Sequence, residues 1–112
     1  MLTATLSVTP TEDALELTIA VENEGDEAVE LNFSDAQRAE FVADEIDSGK
    51  EVWRWSEGRM FGQVLGTEVL DPGDQLEYDV DWPDPPTGSY RVRGELVDNE
   101  HQPSAEMTVE LP

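Results

Sequence analysis

The sequence predicts an all-β fold, because apolar and polar residues alternate with a period of two over most of its 112 residues. Clusters of Gly, Pro, Asn and Asp interrupt the alternation at short intervals, as turns between strands do. No segment carries a convincing helical pattern. These three observations predict an antiparallel β-sandwich of about seven to nine strands.

Four strands are predicted in the first half of the chain. They run over residues 2–8, 15–21, 29–33 and 41–46. The segment before the fourth strand has two interpretations: Ser34 could cap a short helix near residues 35–40, or a strand could follow directly. We favour the strand, since the alternation begins at Phe41 and Asp47-Ser48-Gly49-Lys50 then forms a hairpin turn into the next strand.

Five further strands are predicted in the second half. They run over residues 52–55, 64–70, 76–82, 90–96 and 105–111. Pro72 and Gly73 fit the central positions of a type II turn, and the three prolines of residues 82–88 predict a loop because proline donates no ladder hydrogen bond. Residues 88–90 look like the tyrosine corner of immunoglobulin-like sandwiches. We therefore predict one immunoglobulin-like domain that comprises residues 1–112.

The chain is strongly acidic, with 27 Asp and Glu against 6 Lys and Arg and a formal net charge of −21. The acids are spread along the whole chain, and Lys50 is the only lysine. Such self-repulsion destabilises a compact state unless salt screens it, and at ~1 M salt the Debye length is only about 3 Å. The composition therefore predicts a halophilic host with molar salt in its cytoplasm. It also argues against a nucleic-acid partner, whose phosphates the acids would repel.

The composition also bears on localisation. The chain has no cysteine, which favours a cytoplasmic setting. Its first residues show neither a signal peptide nor an apolar run that could span a membrane. We expect a cytoplasmic monomer without membrane contact.

No set of catalytic or metal-binding residues is evident. His101 is the only histidine and lies in a polar turn, which we interpret as a solvated position rather than part of a Ser-His-Asp arrangement. The acidic run of residues 79–84 does not fit a calcium loop, because Pro83 occupies the third ligand position. The sequence predicts no enzyme, no cofactor and no dedicated metal site.

One short segment departs from the acidic composition. Residues 50–61 contain three of the six basic residues and two of the three tryptophans, Trp53 and Trp55. Trp and Arg are enriched in protein–protein hot spots, which favours a binding surface. The alternative is that both tryptophans fill the core from one face of a strand while Arg54 and Lys50 project from the other face.

This segment and three others together carry a resemblance to a known family. The relevant segments are Gly49-Lys50-Glu51-Val52-Trp53-Arg54-Trp55-Ser56, Arg59-Met60-Phe61, Leu70-Asp71-Pro72-Gly73-Asp74, Trp82 and Gly88-Ser89-Tyr90-Arg91-Val92. From about Leu6 to about Val97 the chain resembles the BsuPI family of intracellular proteinase inhibitors. The resemblance implies an immunoglobulin-like sandwich and the inhibition of an intracellular subtilisin-like serine protease. A noncatalytic interaction domain of the same fold with a non-protease partner is the alternative.

The loop of residues 56–62 is the best candidate for contact with a partner, because glycines flank large side chains where an ordinary connection would be polar. Met60 or Phe61 could enter the pocket of a subtilisin-like protease, which commonly accepts a large apolar residue. Alternatively, both side chains fold back over the open end of the sandwich and leave only Arg59 exposed. The predicted partner-binding residues, which form or support the contact, are Trp53, Arg54, Trp55, Arg59, Met60 and Phe61.

Overall fold

The structure is a computed structural model that describes all 112 residues as nine strands without a helix. The strands are β1 (Leu2–Pro10), β2 (Ala14–Asn23), β3 (Val29–Phe33), β4 (Ala39–Glu45), β5 (Glu51–Arg54), β6 (Gly66–Leu70), β7 (Gln75–Pro83), β8 (Gly88–Leu96) and β9 (Ser104–Leu111). The predicted all-β fold is confirmed. The chain contains no helix that is long and apolar enough to cross a membrane.

Three antiparallel sheets enclose one core. Their strand orders are β1-β2-β7, β5-β4-β8-β9 and β3-β6. Along β2 the side chains of Leu15, Leu17, Ile19 and Val21 are buried, while Glu16 is exposed. The alternation in the sequence therefore reflects a sheet with one buried face. A cluster of 14 buried apolar residues draws side chains from all three sheets, which gives the predicted sandwich. The connection from β5 to β6 leaves this core at an edge of the four-stranded sheet.

The ambiguous segment before β4 contains no helix, and the favoured strand interpretation is confirmed. The hairpin that follows is also confirmed: the amide of Glu45 donates to the carbonyl of Lys50 at 2.8 Å, and the amide of Gly49 donates back to Glu45 at 2.8 Å. This hairpin presents β5 to the edge of β4.

Two predicted strand limits were wrong. β6 begins at Gly66 rather than at residue 64, so the preceding apolar pair lies outside the sheet. β7 continues through Pro83, which pairs with Ala14, so the proline-rich loop begins only at Asp84. An edge strand tolerates a proline, and β7 lies at the edge of its sheet.

The two predicted turn signatures are present. The amide of Asp74 donates to the carbonyl of Asp71 at 2.9 Å, and Gly73 has the positive φ of 89° that the third position of a type II turn requires. The hydroxyl of Tyr90 donates to the carbonyl of Pro86 at 2.9 Å, as in a tyrosine corner. Both contacts fix the connections that flank β7.

His101 is not simply solvated. It is half-buried, and its Nδ1 lies 3.1 Å from Oδ2 of the buried Asp98. Burial by itself would raise the pKa of Asp98, but hydrogen bonds from the amides of His101, Asn32 and Glu100 outweigh this effect and lower that pKa. The sequence could not reveal the hydrogen bond from Asn32 to Asp98, because these two residues are 66 positions apart along the chain. Asp98 thus ties the end of β8 to β3.

Candidate protein-binding loop

Trp53 in β5 and Trp55 just after this strand both lie on the core side of the sheet. Trp53 and Trp55 are half-buried and pack against the core cluster, so the prediction that they share one face is confirmed. The ring of Trp53 stacks on that of Trp82, with centroids 5.3 Å apart and planes inclined by 14°. The backbone amide of Trp55 donates to the carbonyl of Phe41 at 3.0 Å, which continues the pairing of β4 and β5 past the end of the strand. The pair therefore has a structural role at the base of the loop that follows.

Arg54 lies in a pair of salt bridges and is not free for a partner. Its guanidinium is 2.8 Å from the carboxylate of Glu51 and 3.4 Å from that of Glu40. The hydrogen bond between Arg54 and Glu51 lowers the pKa of Glu51 and raises the pKa of Arg54. Of the six Lys and Arg side chains, Arg54 alone has a carboxylate within 4.0 Å. We therefore assign Arg54 to the support of the loop rather than to its outer surface.

Glu40 is the main support that the sequence analysis did not identify. It is only 6% exposed, and its Oε1 accepts hydrogen bonds from the amides of Phe41 at 3.0 Å and Ser56 at 3.1 Å. Its Oε2 accepts from the hydroxyl of Ser56 and from Arg54. One buried carboxylate thus holds the residues on both sides of Trp55.

We expect Glu40→Ala to lower the free energy of unfolding by about 1–3 kcal/mol, because the amide and hydroxyl of Ser56 lose their buried acceptor. Urea denaturation at constant high salt measures the change. Glu95→Ala is the matched control, since Glu95 lies opposite Glu40 in the β4–β8 register and is half-buried. Equal midpoints for the two variants would show that the Glu40 contacts do not stabilise the loop base.

The Met60 loop, which we define as residues 56–65 between β5 and β6, begins with a tight turn. The amide of Arg59 donates to the carbonyl of Ser56 at 3.0 Å, and Gly58 has a φ of 78° at the third position of this turn. A side chain at that position would strain the backbone. The turn directs the chain back over Trp55.

The residues on either side of Met60 pack on the same indole. The guanidinium of Arg59 lies 4.7 Å from the centroid of the Trp55 ring, and its Nε donates to the carbonyl of Trp55 at 2.8 Å. The ring of Phe61 lies 5.6 Å from that of Trp55. Farther along, the carbonyl of Gly62 accepts a hydrogen bond of 2.9 Å from the amide of Ala36. The loop is therefore anchored before and after Met60.

Met60 itself projects from the anchored loop with 99% of its surface exposed. Neither of the two interpretations describes both side chains. Phe61 folds back on Trp55, whereas Met60 does not. The amide and carbonyl groups of Met60 and Phe61 make no hydrogen bond within the chain. They are free to pair with the backbone of another molecule.

The same loop contains a second pair of exposed apolar residues. Val64 is 62% exposed and Leu65 is 81% exposed, both within the Met60 loop. The sequence analysis assigned them to a strand because apolar residues at this position continue the alternation of β6. They lie outside the sheet, so burial in the core does not explain their apolar character.

Comparisons with known proteins support the fold and identify the family. The sporulation control protein Spo0M from Bacillus subtilis is similar over 97% of this chain and 48% of its own, with 12% identity and a TM-score of 0.58. β-Glucosidase 3B from Thermotoga neapolitana in complex with glycerol is similar over 100% of this chain and 16% of its own, with 14% identity and a TM-score of 0.56. At these identities the likeness concerns the fold alone.

A comparison with curated proteins finds no match. The sequence profile of the BsuPI family, described as intracellular proteinase inhibitor, matches residues 2–101, which is most of the chain. The match includes every strand except the last. The chain therefore belongs to the BsuPI family of intracellular proteinase inhibitors.

Proposed function

We propose that this protein inhibits a subtilisin-like serine protease in the cytoplasm of a halophilic host by placing Met60 in the pocket of the protease that normally receives the substrate side chain. The observation that carries the proposal is the 99% exposure of an apolar side chain at the tip of an anchored loop. Membership of the family supports an inhibitory activity in general terms. The exposed loop supports Met60 as the point of contact.

The anchoring of the loop favours tight binding. A flexible peptide loses conformational entropy when a protease holds it, whereas a loop that is already ordered loses less. Arg59 and Phe61 are held on Trp55, and the backbone groups of Met60 remain unpaired. The loop therefore presents the features of a bound substrate before it meets the protease.

The predicted site residues take different roles in this proposal. Met60 enters the pocket, and Arg59 borders it as an exposed cation without a carboxylate partner. The remaining members support the loop from below, and they are Trp53, Arg54, Trp55 and Phe61. The protein acts as a monomer and as a single domain.

A titration of a subtilisin-like protease that is active in molar salt tests the proposal. The wild-type protein is expected to reduce protease activity, and Met60→Asp is expected to weaken inhibition by about 100-fold or more. A carboxylate in an apolar pocket costs several kcal/mol, and each 1.4 kcal/mol is a factor of ten in affinity. At a fully exposed position the same change should leave the melting temperature unaltered.

Ile46→Asp is the matched control, because Ile46 is an exposed apolar residue in the hairpin at the opposite end of β5. It should inhibit like the wild type. Equal inhibition by the Met60→Asp variant would remove Met60 from the contact. If the wild type inhibits no such protease, the proposal is wrong and a noncatalytic interaction domain with another partner becomes the better explanation.

A further inference from the structure

The peptide bond between Met60 and Phe61 is held from both sides by one side chain. Arg59 lies 4.7 Å above the Trp55 ring on the amino-terminal side of Met60, and Phe61 lies 5.6 Å from the same ring on the other side. The hydrogen bond from Ala36 to Gly62 adds a second tie after the bond. If this bond were cut, both new ends would remain fixed to the body of the protein.

Trp55 is itself held firmly enough to act as such a support. Its amide is paired with Phe41, and its neighbours Arg54 and Ser56 are both bonded to the buried Glu40. The indole also packs against the core cluster. Trp55 is therefore fixed to the edge of the sandwich.

This arrangement bears on what a serine protease does with the loop. The serine hydroxyl oxygen attacks the carbonyl carbon of Met60, an ester to Met60 forms, and the bond to Phe61 breaks as the nitrogen of Phe61 takes up a proton. In an ordinary substrate the amine leaves, and water hydrolyses the ester to a carboxylate and the free serine. Here the amine of Phe61 stays beside the ester, because Trp55 and Ala36 retain it. Its attack on the ester restores the peptide bond and the serine hydroxyl, and a positioned amine has a large effective concentration over water.

We propose that Trp55 is the positioning residue that makes the Met60 loop an inhibitor rather than a substrate, because it holds both sides of the Met60–Phe61 bond in place while the protease reacts with it. The inference rests on the proposed function and extends it to the fate of the bound loop. It predicts that the protein is cut slowly, at this bond alone, and that the two fragments stay together.

The test compares Trp55→Leu with Tyr78→Leu. Both changes remove a half-buried aromatic ring that packs against the core cluster, but Tyr78 lies on β7 and belongs neither to the loop nor to its supports. Each protein is incubated with the same subtilisin-like protease in molar salt, and residual activity and fragment masses are followed with time. We expect the wild type and Tyr78→Leu to inhibit persistently. Trp55→Leu is expected to inhibit at first and then to be cut between Met60 and Phe61 about 100-fold faster, with loss of inhibition.

A second variant tests whether loss of the loop contacts alone, with Trp55 kept in the core, is enough to cause the rapid cut. Arg59→Ala combined with Phe61→Ala leaves Trp55 in the core and removes both contacts to the loop. It should show the same rapid cut at residue 60 as Trp55→Leu, whereas an unfolded chain would be cut at many sites.

Persistent inhibition by both Trp55→Leu and the double variant would overturn the inference and leave the proposed function intact. A first cut at any other bond, or a wild type that is consumed as fast as Trp55→Leu, would also overturn it. If the wild type shows no inhibition even at the start, the proposed function fails, and the inference fails with it.

Discussion

Transfer from molar salt to below about 0.5 M salt is expected to abolish the cooperative β structure of this protein, because screening of its surface carboxylates is then lost. The chain carries a formal net charge of −21. The outward side chains of the β1-β2-β7 sheet include no Lys or Arg and five acids, namely Glu16, Glu22, Glu77, Asp79 and Asp81. Circular dichroism and thermal melting through a salt titration measure the effect.

The register of β2 against β7 places particular acidic side chains directly opposite each other. Glu16 lies directly opposite Asp81, and like charges in that position destabilise a strand pair. Glu16→Gln combined with Asp81→Asn should therefore lower the salt concentration at which the protein folds. Asp26→Asn combined with Glu27→Gln removes the same number of charges from an exposed bend and should have a smaller effect. Unchanged melting of the wild type from molar salt to dilute buffer would contradict the halophilic interpretation.

The strands could be predicted from the sequence because most of them bury only one face. In β8 the side chains of Tyr90, Val92 and Leu96 are buried while Arg91 is exposed, so polarity follows burial residue by residue. The limits of β6 could not be predicted in this way. Residues 64 and 65 are apolar although they are exposed. In the sequence they therefore look like the first residues of a strand.

The supports of the loop could not be predicted, because they depend on contacts between distant segments. Glu40 is one of 27 acidic residues, and nothing near it in the sequence marks it as buried. Only the pairing of β4 with β5 brings it to Ser56. In the same way, the outward position of Met60 and the inward position of Phe61 follow from where Trp55 lies. The sequence could identify the loop but not the residue that projects from it.

Trp82→Ala is expected to lower the free energy of unfolding by about 3–5 kcal/mol, which is a large share of the roughly 5–15 kcal/mol that stabilises a typical domain. Trp82 is only 4% exposed and lies opposite Leu15 in the β2–β7 register. Its ring stacks on Trp53 and meets the edge of Tyr90 at a centroid distance of 5.1 Å. It thereby joins the three-stranded sheet to the four-stranded sheet across the core.

The size of this effect follows from the cavity that the change creates between two other aromatic rings. Neither Trp53 nor Tyr90 can fill it: Trp53 is held by β5, and the hydroxyl of Tyr90 is bonded to Pro86. Trp82→Phe keeps a ring between the two neighbours and should lower the free energy of unfolding by less than half as much. Met60→Ala, at a fully exposed position, should leave the free energy of unfolding almost unchanged. Urea denaturation of the three variants in molar salt gives the ranking. Similar midpoints for Trp82→Ala and Met60→Ala would mean that the two sheets do not depend on this aromatic contact, and that Trp53, beneath the Met60 loop, does not need the support of Trp82.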